Sequence, residues 1–254
     1  MATESAPQGW LEDFRSVGSG ENRKVGIIFV HGFTGSPASM RPWAEYFQKE
    51  GYTVSVPQLP GHGTRWENLN QVSWQQWPAK VVEELNWIRT ECSKVFIFGL
   101  SMGGCTTLNV VESHAVDGIV LVNPMSHIPG FQIKLAPIIA LFKKGMPSVG
   151  DDIKKPGITE WGYDVLPTRG VLQLQKMLLR TRKNLKKATA PLLIFHSADD
   201  HVLPVSNTNI IVSEIGTPID QISRVELSNS FHVATLDYDA EIIFERSMQF
   251  VKSK

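Results

Sequence analysis

The chain has 254 residues, 42% of them hydrophobic, enough to bury the core of one α/β domain with an insertion. Its 25 basic and 25 acidic side chains cancel, which argues against nucleic-acid binding and against a polybasic membrane anchor. Two cysteines, Cys92 and Cys105, lack metal-ligand spacing and read as reduced, partly buried thiols.

From the N-terminus, Met1-Ala2-Thr3-Glu4-Ser5-Ala6-Pro7 has no basic region followed by an apolar one, and no apolar run reaches a membrane span. The expectation is a soluble, cytoplasmic protein. Residues 10–17 read as a short edge strand, and Gly18-Ser19-Gly20-Glu21-Asn22 as a hairpin loop. Val25-Gly26-Ile27-Ile28-Phe29-Val30 is short and continuously apolar, as a strand covered on both faces should be. Ser36-Pro37 can open a helix running to Gly51, and Tyr52-Thr53-Val54-Ser55-Val56 is the next strand. Residues 73–92 carry helical periodicity in Trp77, Val81, Leu85 and Ile88. Residues 95–98 form a strand leading into a helix that ends near His114, and Ile119-Val120-Leu121-Val122-Asn123 is another buried strand. Strands alternating with helices imply a mostly parallel sheet with helices on both faces.

That rhythm stops after residue 124. Residues 125–187 hold no comparable strand; they include an apolar stretch at 131–142 and an amphipathic helix at 171–187. This length exceeds an ordinary crossover and reads as an inserted helical cap, with residues 1–124 and 188–254 as the core. Pro191-Leu192-Leu193-Ile194-Phe195-His196 resumes the sheet. A helix over 204–216, a last strand at 223–227 and a closing helix over 238–252 follow.

The chemistry centres on Gly99-Leu100-Ser101-Met102-Gly103 between a strand and a helix. G-x-S-x-G in that setting is a nucleophile elbow, whose tight turn lifts the serine hydroxyl above the sheet edge. A serine needs an imidazole to take its proton, and the imidazole needs an anion on its other nitrogen. His232, in the loop after the 223–227 strand, has the order and placement of the base. The acid lies in His196-Ser197-Ala198-Asp199-Asp200-His201, where the residues leave Asp199 and Asp200 open, with Asp200 preferred. Asp237 and Asp239 read as helix caps or surface charges. Oxyanion donors should be the N–H groups of Met102 and, in the loop after the 25–30 strand, Phe33. His31 reads as a pin for that loop, and His62 has no chemical role. No phosphate loop, dinucleotide fingerprint or metal spacing is present, so no cofactor and no metal are expected.

Together with Val30-His31-Gly32-Phe33-Thr34-Gly35-Ser36-Pro37, Pro60-Gly61-His62-Gly63, Asp200-His201-Val202-Leu203-Pro204 and Ser230-Phe231-His232-Val233-Ala234-Thr235-Leu236-Asp237-Tyr238-Asp239, these residues identify a resemblance. The chain resembles the α/β-hydrolases over nearly its whole length, and within them the small bacterial monoacylglycerol lipases and their carboxylesterase relatives. The resemblance implies Ser101 as nucleophile, Asp200 as acid, His232 as base, and Phe33 and Met102 as oxyanion donors. It further implies a lid over an acyl tunnel, with Glu160 binding the glycerol hydroxyls. Ile133, Ile138, Ile139 and Leu141 offer apolar surface to the acyl chain. The implied reaction is hydrolysis of a monoacylglycerol or other fatty-acyl ester through an acyl-enzyme, the alternative being a general carboxylesterase of short- to medium-chain esters. Transient contact with a membrane or micelle surface is expected, no nucleic acid, and either a monomer or a homodimer.

Overall fold

The computed structural model describes residues 5–128, 136–148 and 150–254. The chain opens with β1 (Phe14–Ser16), β2 (Val25–Val30), α1 (Arg41–Lys49), β3 (Thr53–Val56) and α2 (Trp66–Leu69). It continues through α3 (Gln76–Glu91), β4 (Lys94–Leu100), α4 (Met102–Val111) and β5 (Gly118–Val122). The inserted region holds α5 (Ala136–Phe142), β6 (Gly145–Pro147), β7 (Val165–Pro167) and α6 (Thr168–Asn184). The core then resumes with β8 (Leu192–Ser197), α7 (Ser206–Glu214), β9 (Ile222–Leu227) and α8 (Ala240–Lys252).

Seven strands form one sheet in the order β1-β3-β2-β4-β5-β8-β9, parallel throughout except for β1. Alternate side chains feed two separate cores. Ile28, Val30, Val95 and Ile97 pack under α3 and α4, while Ile27, Phe29, Phe96 and Phe98 face α1 and α8. On the second face Phe29 meets Trp43, Phe47 and Phe98 with ring centroids 5.2–5.9 Å apart. Full burial on both faces is why these strands are continuously apolar. Strand order reverses between β2 and β4, so the loops leaving their C-terminal ends diverge around a crevice, the place where such sheets bind ligands. Phe33 and Ser101 lie on those two loops.

Three expectations need correction. Gly18-Ser19-Gly20-Glu21-Asn22 is no hairpin loop: β1 pairs antiparallel with β3, and Gly20–Lys24 is a 3-10 turn leading into β2. Ser19 N–H donates to Gly51 O at 3.0 Å and Gly18 N–H to Thr53 Oγ1 at 2.9 Å, docking the turn on the β3 side and leaving β2 to parallel partners. The helix after Ser36 is split. Ser36 Oγ caps a 3-10 turn over Pro37–Ser39, and α1 begins at Arg41 because Pro42 can neither donate to nor fit a preceding helical turn. Finally, the inserted region does contain strands. β6 and β7 pair antiparallel, Gly145 opposite Pro167, in a ladder too short to impose an alternating pattern on the sequence.

Within the insertion, α6 packs onto the core through buried Leu174, Met177 and Leu178, and Thr181 Oγ1 accepts from Asn109 Nδ2 at 2.9 Å. Both cysteines are free and buried, and burial pushes the Cys105 thiol up to about 12. Among the described residues no helix is long and apolar enough to cross a membrane.

Candidate active site

Ser101 joins β4 to α4 with φ 55° and ψ −117°, a left-handed conformation that costs a non-glycine residue about 1–3 kcal/mol. Its backbone is held on both sides: the N–H donates to Val122 O at 3.0 Å, and the carbonyl accepts from Gly104 and Met125 N–H, each at 3.0 Å. The turn closes only over bare backbone. A Cβ on Gly103 would lie 2.0 Å from Val30 O, and one on Gly99 2.6 Å from Gly103 C. The loop after β2 comes as close from the other side, where a Cβ on Gly32 would stand 3.4 Å from that of Ser101. Met102 N–H is the first of α4, at the positive end of the helix. Neither it nor Phe33 N–H has an acceptor among the described residues.

His232 and Asp200 form a buried pair. Asp200 Oδ2 lies 2.8 Å from His232 Nδ1, with side chains 1% and 8% exposed. An ionised carboxylate only accepts, so Nδ1 carries the proton and Nε2 is left with its lone pair. Asp200 Oδ1 accepts from Val202 N–H at 2.9 Å and Leu203 N–H at 2.7 Å, charge-assisted bonds that fix the carboxylate plane. Asp199 faces outward, 62% exposed and 3.8 Å from Lys154 Nζ. Of the two aspartates, the structure brings Asp200 to the histidine.

The surrounding network holds residues that sequence reasoning missed. Asn123, with φ 43°, sits just beyond β5. Its Nδ2 donates to His232 O at 2.8 Å and to Ser197 Oγ at 2.9 Å, while its Oδ1 accepts from Ser197 N–H at 2.7 Å. Asp152, from the insertion, accepts from His232 N–H at 3.0 Å. Asp237 and Asp239 are neither surface charges nor side-chain caps; they are 3% and 5% exposed. Asp237 Oδ2 accepts from Phe231 N–H at 2.9 Å, and Asp239 Oδ2 from Asn229 N–H at 2.8 Å, folding the histidine loop onto itself. A polar residue closing an apolar strand ahead of a proline was the one sequence signal for Asn123. Asp237 and Asp239 close the 230–239 motif, but the motif does not tell that they turn back onto backbone N–H groups of the histidine loop; Asp152 gave no signal.

Glu160 is half-buried beside the loop that carries Phe33. A Cβ on Gly35 would lie 2.7 Å from Glu160 Oε2, and Ser36 Oγ donates to Glu160 O at 3.1 Å. Burial raises its carboxyl to about 7, Asp151 pushes the same way, and His232 pulls it back. Of the other expected lining residues, Ile133 lies outside the described residues and Ile139 is half-buried. Ile138 and Leu141 are 56% and 79% exposed, so as placed they do not wall a channel. On a helix as short as α5, an apolar run does not tell which side faces inward; over residues 138–142, the part whose burial is described, Ala140 is buried. A groove of about 1240 Å³, bordered by Trp10, Trp161, Tyr238 and Phe244, includes none of Ser101, Asp200 and His232.

Two further histidines, His31 and His62, are buried beside the loop that carries Phe33. Leu59 N–H donates to His31 Nε2 at 3.1 Å and His31 Nδ1 donates to Gly32 O at 2.9 Å, so both ring nitrogens are used in holding the loop. Burial pushes His31 down to about 4 and keeps it neutral. His62 packs among His31, Phe33 and Trp77, with its pKa well lowered by burial. Among the described residues, no three His, Cys, Asp or Glu side chains cluster as metal ligands would.

Comparison with known proteins gives the family and the fold. The "Alpha/beta hydrolase family" matches residues 27–237. Over 231 residues the chain is 42% identical to a thermostable monoacylglycerol lipase of Bacillus sp. (strain H-257), covering 91% of each. A carboxylesterase of Bacillus subtilis (strain 168) is 24% identical over 227 residues, 89% of this chain and 92% of that one. A solved structure reported for the metagenome-derived lipolytic enzymes LipS and LipT has a TM-score of 0.90 and 34% identity, covering 96% of this chain and 98% of its own. The monoacylglycerol lipase of Paleococcus ferrophilus shares the fold at a TM-score of 0.76 and 18% identity, over 95% and 99%. The chain belongs to the α/β-hydrolase family, in the branch that holds the bacterial monoacylglycerol lipases and esterases.

Proposed function

We propose that the protein hydrolyses monoacylglycerols to glycerol and fatty acid through an acyl-enzyme on Ser101. His232 Nε2 takes the hydroxyl proton as Ser101 Oγ attacks the ester carbonyl. The N–H groups of Phe33 and Met102 receive the oxyanion, a role in which one donor is worth about 3 kcal/mol. The imidazolium, stabilised by Asp200, gives its proton to the departing glycerol oxygen; His232 then activates water to release the acid. Among the described residues Ser101 Oγ has no hydrogen bond, and in hydrolases that contact commonly tightens only when substrate is bound.

The observation that carries the substrate assignment is the Glu160 carboxyl, seated against Gly35 and within electrostatic reach of His232. It is a hydrogen-bonding group set beside the departing alcohol rather than the acyl chain. The 42% identity to a monoacylglycerol lipase supports the same reading. Residues 125–187 act in it as the cap. Ile139 meets the acyl chain, at about 0.8 kcal/mol per methylene buried. Exposed Ile138, Leu141 and Phe142 on α5 rest transiently on the micelle or membrane that supplies the substrate.

Glu160→Gln tests this reading. The ratio of kcat/KM on monolauroylglycerol to that on methyl laurate should fall about tenfold, the worth of one good hydrogen bond, with the methyl ester rate unchanged. An unchanged ratio would leave a general carboxylesterase of short- to medium-chain esters. The same variant carries a pH signature. A folded-state value raised to about 7 makes the Glu160 contribution to stability full below its ordinary 4.5 and lost as pH rises through about 7. Urea unfolding at about pH 5 and about pH 8 should therefore show a drop on the order of 3 kcal/mol in the parent chain that is missing from Glu160→Gln.

A further inference from the structure

The backbone of His232 is held by side chains from two distant segments. Asn123 donates to its carbonyl at 2.8 Å, and Asp152 Oδ2 accepts from its N–H at 3.0 Å. Asp152 also takes His201 N–H on Oδ2 at 3.3 Å and meets His201 Nδ1 through Oδ1 at 2.9 Å, while its own carbonyl accepts from Val233 N–H at 3.0 Å. His201 directly follows Asp200, so this one carboxylate, 8% exposed, touches both loops that carry the acid and the base.

The stretch that starts at Asp152 continues to the other side of Ser101. Lys154 and Lys155 N–H donate to Asp237 at 2.7 and 3.0 Å. Farther on, Ser36 Oγ donates to Glu160 O, and Tyr163 N–H donates to Thr34 O at 2.9 Å. The Tyr163 hydroxyl donates to Gly61 O at 2.8 Å. Residues 152–163 thus form a strap bonded at one end to the histidine loop and at the other to the loop carrying Phe33, with Glu160 between them.

We propose that Asp152 is a positioning residue for His232, the anchor through which this strap sets the imidazole relative to Ser101. The inference rests on the hydrolase reading above. Asp152 touches no reacting atom. It fixes the peptide from which the imidazole springs, and a misplacement of about 1 Å at such a root can cost about 100-fold in rate. The part that matters is the acceptor at His232 N–H. An asparagine can present its amide oxygen to the two backbone N–H groups and its nitrogen to His201 Nδ1.

The test compares Asp152→Ala and Asp152→Asn with the parent on methyl laurate, an ester that has no glycerol for Glu160 to bind. Asp152→Ala should lose at least about 30-fold in kcat with KM within about twofold, and label with a fluorophosphonate correspondingly slowly. Asp152→Asn should recover kcat to within about threefold of the parent. The proposal is overturned if Asp152→Ala keeps kcat within about threefold, or if Asp152→Asn is as slow as Asp152→Ala. Should the alanine variant not fold, as judged by thermal melting, Asp152→Ser takes its place with the same split expected, and a 30-fold loss in Asp152→Asn alone still overturns the proposal. A parent chain without esterase activity would instead overturn the hydrolase reading itself.

Discussion

Asp200→Asn should lower kcat about 10⁴-fold while moving Tm by only a few degrees. The reason lies in how the carboxylate is held. Oδ1 accepts from Val202 and Leu203 N–H, so an asparagine must turn its oxygen to those two donors. Its NH₂ then faces His232 Nδ1, where Oδ2 stood at 2.8 Å. Two donors cannot meet, so Nδ1 gives up its proton and becomes the acceptor. The ring proton moves to Nε2, the nitrogen that must be bare to accept from Ser101. Geometry survives and the base is lost. Fatty-acid release and a thermal melt on the same sample check both halves; a loss below tenfold would mean that the histidine does not depend on this carboxylate.

Ser101→Ala should do more, lowering kcat by about 10⁶-fold, since no other hydroxyl takes over the attack. The side chain is 6% exposed and has no hydrogen bond among the described residues, so its removal strands no partner. Tm should hold or rise slightly, as it does where a strained site trades stability for activity. Intact-mass measurement after a fluorophosphonate should show one adduct on the parent chain and none on the variant. Residual activity above about 1% would move the nucleophile elsewhere.

Much of this arrangement is local and therefore readable from the chain. The strands β2, β4, β5 and β8 each carry a continuous apolar run because both faces are buried, and each hands over at its C-terminal end to a loop of the site. Gly99 and Gly103 mark the elbow because no side chain fits there. The unreadable parts depend on contacts far apart in sequence. Pairing of β1 with β3 instead of β2 follows from which strands need parallel neighbours, not from the turn between them. Asn123 meets His232 across 109 positions and Asp152 across 80, through backbone atoms that carry no residue type. Asp237 looked like a cap because it stands just before a helix; its burial against the histidine loop is a tertiary fact. On α5 the apolar run was visible, but the side it turns to the core was not.

The most direct test is glycerol and fatty-acid release by the parent chain from monolauroylglycerol, beside methyl laurate and trilaurin at equal ester concentration. The rate on the monoglyceride should be at least about tenfold above that on the methyl ester, with little turnover of trilaurin, whose two further chains meet the cap. Equal rates on monolauroylglycerol and methyl laurate would contradict the role given to Glu160, and no turnover of any of the three would contradict the hydrolase itself.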